Sequence, residues 1–391
     1  METVGCYVHI PFCVRKCAYC DFNSYSGYTD GSVDRYVSAL EQEIRRTTPS
    51  QAQVDTIFFG GGTPTAIPAR LEAGLLKAVM ETLPVAADAE ITTEANPGTM
   101  DVRHLAVLRE AGFNRISFGV QSFDPGLLRT LDRIHSADEA RNAVRAAREA
   151  GFENVSIDLM FALPRQSTAQ WQSTLDEAFA LGTDHISLYS LIVEEGTGFH
   201  TLYRKGKLPL PDEDTAAEMF QMAIDGAASH GFGQYEISNF ARPGRECRHN
   251  IHYWRNEPYY GFGCGAVSYN TSPQPSPWKG EGAIGGRRIT NVKSPAKYAE
   301  AVETGGDIVV DCEASTVDEA MAETMMLGLR LADEGVDRKL FARRFGVDPA
   351  LRYAAEVDCF VRRGLLEVDV DRLRLTKRGI FLANEVMMAF V

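Results

Sequence analysis

Hydrophobic and polar positions along the first half of the chain predict a strand followed by a helix, six times in succession. Short apolar runs rich in β-branched residues predict the strands. The stretches between them repeat apolar residues every three or four positions, which predicts helices with one buried face. The predicted strands are YVHI at 7–10, TIFF at 56–59, EITT at 90–93, RISFGV at 115–120, NVSIDLMF at 154–161 and HISLYSLI at 185–192.

This alternation predicts an α/β fold with a parallel sheet, either open or curled into a barrel. Chemically distinctive segments follow the strands. Because the carboxyl ends of parallel strands share one edge of the sheet, we expect these segments to meet on one face, where such folds build active sites. They are a loop with three cysteines, GGGTPT at 60–65, EANPG at 94–98, Gln121 with Ser122, Asp158, and EEGTG at 194–198.

The chain changes character after residue 270. The stretch TSPQPSPWKGEGAIGG at 271–286 has seven Gly or Pro residues in sixteen positions, which predicts a disordered surface insertion. Beyond it, helical runs and a hairpin in LLEVDVDRLRLT predict a separate small domain. We therefore divide the chain into residues 1–235 for the barrel, 236–312 for a connecting region with the insertion, and 313–391 for the C-terminal domain.

Composition restricts the class of protein. The chain has 391 residues, of which 45% are hydrophobic and 24% charged, as in a globular enzyme with more than one core. A net charge of −13 argues against nucleic acid as a partner, and the 14 acidic and 12 basic residues from 313 onwards argue against DNA binding there. The sequence contains neither an apolar leader nor a long uninterrupted apolar run, so we expect a cytoplasmic protein.

Three cysteines stand close together in HIPFCVRKCAYCDF, at Cys13, Cys17 and Cys20. Gaps of three and two residues allow one loop to fold its thiolates around a single centre. Three interpretations remain open at this point: buried apolar cysteines, a zinc site completed by His9 or Cys6, or a 4Fe-4S cluster. Three thiolates on such a cluster would leave one iron open for an exogenous chelator.

The motifs taken together resemble the radical S-adenosylmethionine (SAM) superfamily. Within it the chain resembles the oxygen-independent coproporphyrinogen oxidase family, which includes the HemW group of heme chaperones. The resemblance implies a partial barrel of six βα units and a winged-helix-like C-terminal domain. The matching stretches run in order through most of residues 4–270: HIPFCVRKCAYCDF, FFGGGTPT, TEANPG, RISFGVQSF, LDRIH, IDLMFALP, SLYSLIVEEGT, YEISNFA and CRHNIHYW.

The resemblance implies that Cys13, Cys17 and Cys20 ligate the 4Fe-4S cluster and that SAM chelates its fourth iron. It also assigns a SAM site. Glu94 and the backbone of Gly60, Gly61, Gly62 and Thr63 would hold the methionine amino group, Arg133 the carboxylate, and Gln121 and Asp158 the ribose hydroxyls, while Tyr7, Tyr19 and Ile192 would pack around the cofactor.

Within this family the resemblance leaves two candidate functions, that of a heme carrier and that of an enzyme. An oxidase would decarboxylate two propionates of coproporphyrinogen III, and its family has an N-terminal extension and a further cysteine where this chain has Phe22. Only twelve residues precede Cys13, so both features favour the heme chaperone. The HNxxY motif of that group, with His249 as a heme ligand, is present in CRHNIHYW, although Val267 stands where its pattern has a histidine.

The heme chaperone interpretation also predicts the partners. They are heme and heme-accepting proteins, with membrane-associated acceptors as transient partners and a homodimer as an allowed state. The rival ligands near His249 are Cys247 and His252.

Overall fold

The structure is a computed structural model that describes residues 3–271 and 284–391. All six predicted strands are present, each followed by a helix, and most extend beyond the apolar runs that predicted them. The elements of this part are β1 (Thr3–Ile10), α1 (Asp30–Arg46), β2 (Gln53–Gly61), α2 (Ala69–Thr82), β3 (Val85–Ala95), α3 (Val102–Ala111), β4 (Arg115–Gln121), α4 (Pro125–Thr130), α5 (Ala137–Glu149), β5 (Asn154–Phe161), α6 (Thr168–Ala180) and β6 (His185–Ser190).

The helices begin where capping residues favour it. Thr29, Ser136 and Ser167 each accept a hydrogen bond from the third residue of the following helix, whose side chain bonds back to the cap backbone. These reciprocal bonds satisfy main-chain N–H groups that the first helical turn leaves without partners. The starts of α1, α5 and α6 are therefore fixed by local sequence.

Six strands are added to the six predicted ones, so that the described residues form a twelve-stranded sheet in the order β12-β11-β10-β9-β1-β2-β3-β4-β5-β6-β8-β7. Neighbours from β9 to β6 in this order are parallel, whereas the strands at both edges are antiparallel. The elements of this region are α7 (Gly198–Arg204), α8 (Glu213–Ser229), β7 (Gly233–Gln234), β8 (Asn239–Ala241), α9 (Arg248–Trp254), β9 (Tyr259–Phe262), β10 (Val267–Asn270), β11 (Ile284–Asn291), α10 (Pro295–Thr304) and β12 (Val309–Thr316).

The two faces of the parallel strands differ in character. One face packs on the helices with residues such as Ile10, Phe59 and Phe118, all within one apolar core. The other face carries buried polar side chains, Thr56 and Arg115 among them. Because side chains alternate along a strand, the polar set lines the inside of the partial barrel.

The predicted insertion does not extend as far as expected. Residues 272–283 lie outside the described part of the chain, but residues 284–286 already belong to β11, which pairs with β10 and β12. Glycine fits this strand because a side chain at Gly285 would meet the Thr316 carbonyl, and one at Gly286 would meet the Tyr269 ring. Close approach explains these two glycines better than disorder does.

The C-terminal part has its own apolar core and a three-stranded antiparallel sheet, including the predicted hairpin between β14 and β15. β12 runs across the boundary that we placed between residues 312 and 313. The elements are α11 (Val317–Gly328), β13 (Val336–Asp337), α12 (Arg338–Phe345), α13 (Pro349–Arg352), α14 (Ala354–Arg362), β14 (Leu366–Val368), β15 (Arg372–Leu375), α15 (Lys377–Phe381) and α16 (Ala383–Met388).

This C-terminal domain contacts both edges of the large sheet. On the β8 side, the Ile237 N–H donates to the Arg330 carbonyl at 3.1 Å. On the β11 side, Arg288 pairs with Glu323 at 2.8 Å. α11 therefore spans the gap between the two edges, which is the open side of the partial barrel. None of the helices in the described ranges combines the length and the apolar character needed to cross a membrane.

Candidate functional site

The cysteine loop at residues 11–25 is held by the main chain on both of its sides. The Cys13 N–H donates to the Tyr25 carbonyl at 2.9 Å, and the Tyr25 N–H donates to the Pro11 carbonyl at 2.7 Å. Lys16 donates to the carbonyls of Phe22 and Ser24 inside the same loop. The loop therefore has a defined shape in which Cys13, Cys17 and Cys20 are all free thiols.

A second element supports this loop from the other side of the barrel mouth. The Phe199 N–H, at the start of α7, donates to the Ala18 carbonyl at 2.9 Å. Tyr19 and Phe199 pack in a small apolar cluster with Leu131 and Met160. The EEGTG segment after β6 therefore braces the cysteine loop, as expected if both lie at the carboxyl ends of the strands.

The environment of the thiols disfavours thiolates in the absence of a metal. Burial raises the pKa of Cys13 and Cys20, and the neighbouring Cys17 raises both further. Hydrogen bonds act in the opposite direction, from Thr63 and Ser24 on Cys13 and from the Phe22 main chain on Cys20, and the charges of Arg133 and Lys16 add smaller effects of the same sign. A cationic iron centre would supply the positive charge that thiolates need here, so the donor set fits such a group.

The zinc alternative lacks its fourth ligand. Cys6 is fully buried on the helix-facing side of β1, within the main core. His9 uses both ring nitrogens, since Nδ1 lies 3.0 Å from the Tyr7 hydroxyl and Nε2 lies 2.9 Å from the Asn23 carbonyl. Across the described residues, no three His, Cys, Asp or Glu side chains meet closely enough to hold a single metal ion. Neither residue proposed to complete a zinc site is free to do so.

Close packing explains all three glycines at the end of β2, Gly60, Gly61 and Gly62. A side chain at Gly61, where φ is 113°, would run into the His9 ring, and one at Gly62 would run into the backbone of Phe12. A side chain at Gly60 would meet the Phe58 ring at 2.9 Å and the Glu94 carboxyl at 3.1 Å. Three different neighbours, a ring of β2, a ring of β1 and the cysteine loop, therefore require glycine at these positions, and Gly60 is the one beside the predicted SAM-binding carboxylate.

A chain of polar contacts joins three loops around Arg133. The Asn96 amide donates to the Thr63 hydroxyl at 2.8 Å, and that hydroxyl lies 3.7 Å from the Cys13 sulfur. Arg133 donates to the Asn96 side-chain oxygen and, at 3.4 Å, to the Cys17 sulfur. The sequence analysis missed Asn96, although it stands two residues after Glu94 in TEANPG.

Arg133 also retains a free donor. Its Nη2 bonds the Gly119 carbonyl as well as Asn96, while the buried Nε has no hydrogen-bond partner among the described residues. An unpaired buried guanidinium N–H is costly unless a ligand satisfies it. A carboxylate suits the planar donor geometry of this group, so the residue fits the role that the resemblance gives it.

Two carboxyl groups lie inside the barrel near this network. Burial and the nearby Asp158 raise the pKa of Glu94 to about 8, although the Gly61 N–H stabilises its charge. Burial also raises the pKa of Asp158, whose carboxyl accepts from the Ser117 hydroxyl at 3.1 Å. Both carboxylates are therefore costly to keep charged without a partner. A ligand with a cationic group or with hydroxyl groups would stabilise their charge by donating hydrogen bonds to them.

The remaining residues of the predicted SAM site differ in how closely they join this group. Gln121 ends β4 with a φ of 66°, a strained conformation that occurs often at functional sites. Tyr7 lies beside Gly60, and Tyr19 is half-buried against Phe199. Ile192 is 68% exposed, beyond the end of β6.

His249 lies elsewhere, on the amino-terminal side of the strands. The Glu90 carboxylate accepts from the main-chain N–H groups of Arg248 and His249 at 3.2 and 3.1 Å, which fixes the start of α9 there. The His249 ring is 1% exposed, with Nδ1 2.9 Å from the Thr56 hydroxyl and Nε2 3.0 Å from the Tyr253 hydroxyl. Burial lowers its pKa to about 3. Both ring nitrogens of His249 are therefore hydrogen-bonded in the structure, and its role as an axial heme ligand stays a prediction.

The two rival ligands are also engaged. Cys247 is fully buried, with its sulfur 3.7 Å from Glu90, and burial raises its pKa to about 12. His252 is clamped between two carboxylates, with Nε2 2.7 Å from Asp55 and Nδ1 2.8 Å from Glu257. These contacts raise its pKa to about 9 in spite of burial. The CRHNIHYW motif therefore lies at the amino-terminal side of the barrel strands and does not line their carboxyl ends, where the cysteine loop lies.

Comparison with known proteins gives consistent results. Residues 7–178 match the Radical SAM superfamily model and residues 316–382 match the HemN C-terminal domain model. The heme chaperone HemW of Bacillus subtilis is 39% identical over 388 residues, covering 98% of both chains, and that of Escherichia coli is 34% identical over 100% of this chain and 99% of its own. A mouse protein, the mitochondrial radical S-adenosyl methionine domain-containing protein 1, is 34% identical, covering 98% of this chain and 86% of its own.

A solved structure shares the fold over the whole length. Coproporphyrinogen III oxidase (HemN) from Escherichia coli, described as a radical SAM enzyme, superposes with a TM-score of 0.82 at 26% identity, covering 100% of this chain and 90% of its own. The fold prediction, a partial radical SAM barrel with a small C-terminal domain, is confirmed.

Proposed function

Because this chain belongs to the HemW family of radical SAM proteins, we propose that it is a heme chaperone that binds heme and delivers it to acceptor proteins. The observation that carries the proposal is that the likeness to heme chaperones extends over almost the whole chain, at 34 to 39% identity in the bacterial relatives named above. Likeness confined to the barrel would support only shared cofactor chemistry.

The residues at the barrel mouth support a cofactor site of the superfamily type. Cys13, Cys17 and Cys20 would hold a 4Fe-4S cluster, and Arg133 would hold the carboxylate of SAM through its unpaired Nε. Glu94 would accept from the methionine ammonium, and Gln121 and Asp158 from the ribose hydroxyls. A cluster bound there would supply the electron-transfer chemistry of the superfamily to SAM.

The chain's own residues have two tasks at this site. Thr63 and Asn96 fix the position of Arg133 relative to the cysteine loop, which keeps its guanidinium beside the thiols that would hold the cluster. Tyr7 and Tyr19 would shield the site from water, since both are partly buried at its edge.

Coproporphyrinogen oxidation is the second candidate, and the superposition on an enzyme of that name favours it. Phe22 argues against it, since the residue is 62% exposed at the position where the oxidase family has a further cysteine. Binding and transfer of heme therefore account better for this chain than turnover of a porphyrinogen.

One experiment separates the two functions. The chain would be reconstituted anaerobically with iron and sulfide, then titrated with hemin, mixed with an apo heme protein, and in parallel incubated with SAM, reductant and coproporphyrinogen III. We expect saturable hemin binding and heme transfer, with little or no carbon dioxide release. Robust decarboxylation without saturable hemin binding would make the protein an oxidase.

The cluster has its own control within that experiment. Cys13→Ala, Cys17→Ala and Cys20→Ala should each abolish the iron-sulfur absorbance, whereas Cys312→Ala, at an exposed cysteine on β12, should not. Reconstitution with stoichiometric zinc and no iron would contradict the cluster. The acceptors, membrane-associated ones included, and a homodimer remain predictions, which pull-down with bound heme and size-exclusion chromatography would test.

A further inference from the structure

A large cleft lies away from the cofactor site, between the amino-terminal end of the barrel and the C-terminal domain. Its volume is about 1060 Å³. The starts of β1 and β9 and the end of α9 form one wall, and α11 and α12 form the other. Pockets for small ligands usually measure about 300 to 1000 Å³, so this cleft is large enough for a macrocycle.

The walls are largely apolar. Trp254 and Tyr259 contribute partly exposed aromatic surface from the barrel side, and Leu340 contributes apolar surface from α12. Tyr269 and Phe341 also line the cleft, but each is only 2% exposed. Leu340 is 47% exposed, so part of this apolar surface is open to a ligand. Aromatic side chains of this kind bury large areas of a planar ligand at small conformational cost.

The charges around the cleft are not balanced. Each acidic residue that lines it already has a cationic partner: Glu257 with His252 at 2.8 Å, Glu334 with Arg255 at 2.7 Å, and Asp337 with Arg372 at 3.5 Å. Two arginines differ from them. Arg343 has no carboxylate partner within the described ranges, and Arg344 donates only to the Asn256 carbonyl and the Tyr269 hydroxyl, at 2.9 and 3.0 Å. Two uncompensated guanidinium groups at an apolar cleft favour an anionic ligand.

We propose that this cleft binds heme as a planar dicarboxylate, with the macrocycle against the aromatic walls and the propionates against Arg343 and Arg344. The assignment rests on the proposed function for the identity of the ligand. The cleft itself supplies the size, the apolar and aromatic walls and the positive charge that such a ligand requires.

The lining determines how heme is recognised. The part of the lining that the structure describes contains no His, Cys or Met, which are the usual axial ligands besides tyrosine. The three tyrosine hydroxyls of the lining are already hydrogen-bonded. Tyr269 accepts from Arg344, Tyr260 accepts from the Ser50 N–H at 2.8 Å, and Tyr259 accepts from Arg288. Recognition therefore depends on the ring and the propionates and does not require the iron, so iron-free protoporphyrin IX binds in the same place.

This position gives the HNxxY motif a supporting role. His249 bonds the Tyr253 hydroxyl, and the Tyr253 ring packs edge-on against Tyr259 at 4.7 Å between centroids. Tyr259 lines the cleft. His249 is thus a positioning residue behind the aromatic wall, and His249→Ala weakens binding without changing the ligand field of the iron.

The position also separates cargo from cofactor. β1 runs for eight residues from the cleft towards the cysteine loop, a length of roughly 25 Å at about 3.3 Å per residue. Heme held at the cleft lies out of reach of chemistry at the cluster, as expected of a carrier.

The test compares ligands and arginine variants of the full chain. Hemin, protoporphyrin IX and protoporphyrin IX dimethyl ester would be titrated into the reconstituted protein, into Arg343→Gln and Arg344→Gln, and into Arg362→Gln as the control. Arg362 is exposed on α14, outside the cleft lining. We expect protoporphyrin IX to compete with hemin, the ester to bind at least tenfold more weakly, and the two cleft variants together to lose tenfold or more in affinity while the control loses none.

The outcomes test the cleft as the heme site separately from the proposed chaperone function. Saturable hemin binding that is unchanged in both cleft variants would overturn the proposal that heme binds in the cleft, and it would leave the proposed chaperone function unaffected. Failure of protoporphyrin IX to compete, or a shift of the Soret band in His249→Ala, also overturns it, since the iron would then have a protein ligand. Arginine-dependent porphyrin binding without heme transfer supports the cleft and contradicts the chaperone. Arg343→Gln removes no contact that holds the fold, so loss of folding does not obscure the result.

Discussion

At the scale of single residues, Arg133 and Glu94 show how the site was assembled from groups that are costly to bury. Arg133 keeps an unpaired Nε beside the cysteine loop, and Glu94 has a pKa of about 8 because of burial and Asp158. Neither group forms an ion pair with a described residue, and Arg115 favours the charge of Glu94 only weakly against burial and Asp158. A zwitterionic ligand with a carboxylate and an ammonium would supply both counter-charges at once.

The raised pKa of Glu94 predicts that SAM binding depends on pH. Below about 8 the free carboxyl carries a proton, which the ammonium of SAM must displace, so affinity should rise as pH rises from 6.5 to 8. Glu94→Gln should remove this dependence and weaken binding about tenfold at pH 8. Titration of ligand affinity at several pH values would measure both effects, with iron-sulfur absorbance confirming the cluster.

Glu195→Gln is the matched control, because Glu195 is an exposed carboxylate on the segment after β6. Deprotonation of the ammonium group of SAM itself affects the unchanged protein, Glu94→Gln and Glu195→Gln equally. A pH dependence that persists in Glu94→Gln would exclude this carboxyl from the site.

At the scale of elements, local sequence predicted the long helices and strands but not the short ones. Capping residues and apolar periodicity mark α1 and β5. β7 has two residues and β8 has three, too few for a periodic pattern to appear. α9 has seven residues, and its position depends on Glu90, which is 159 residues from His249 along the chain. Short elements of this kind are fixed by distant partners.

The clamp around His252 predicts a pH-dependent stability for the α9 region. The Asp55 and Glu257 carboxylates raise the His252 pKa to about 9 from an ordinary value of 6.5. The stabilisation is therefore complete below about 6.5 and is lost as pH rises through 9. We expect His252→Gln to cost about 3 kcal/mol at pH 6 and clearly less at pH 9.5, measured by denaturant unfolding.

His200→Gln serves as the comparison, because the His200 ring makes no hydrogen bond to any described residue. It should change the free energy of unfolding little at either pH. An equal cost for His252→Gln at both pH values would mean that the ring acts by packing and not by charge.

At the scale of the whole molecule, the C-terminal domain holds the barrel closed on its open side. Glu236 is completely buried, and the Arg330 guanidinium lies 3.3 Å from its carboxylate and over the Trp254 ring at 4.2 Å. Two main-chain hydrogen bonds accompany this ion pair: the Ala332 N–H donates to the Tyr235 carbonyl, and the Ile237 N–H donates to the Arg330 carbonyl. The two parts of the chain are therefore joined by a connection with a buried charge at its centre.

Removing one partner of this pair should weaken that connection strongly. Arg330→Ala leaves the Glu236 charge buried and unpaired, which costs about 3 to 5 kcal/mol, while adding Glu236→Gln should recover part of the loss. The exposed pair Arg352–Asp318 is the control, and Arg352→Ala should cost about 1 kcal/mol or less. Calorimetry would detect the loss as a lower or divided unfolding transition. Additive effects of the Arg330 and Glu236 changes would show that the pair does not couple the domains.

The sequence by itself determined the six βα units, the spacing of the three thiols and the edge of the sheet on which the glycines, Glu94, Gln121 and Asp158 gather, because each follows from local periodicity and from the geometry of parallel strands. Only the tertiary structure decided that Asn96 links Thr63 to Arg133, that His249 is enclosed by Thr56 and Tyr253, and that the cleft between the domains has two arginines without a carboxylate partner among the described residues. These features arise between residues far apart in the chain. Burial and pairing of charge depend on the complete packing, which no local pattern contains.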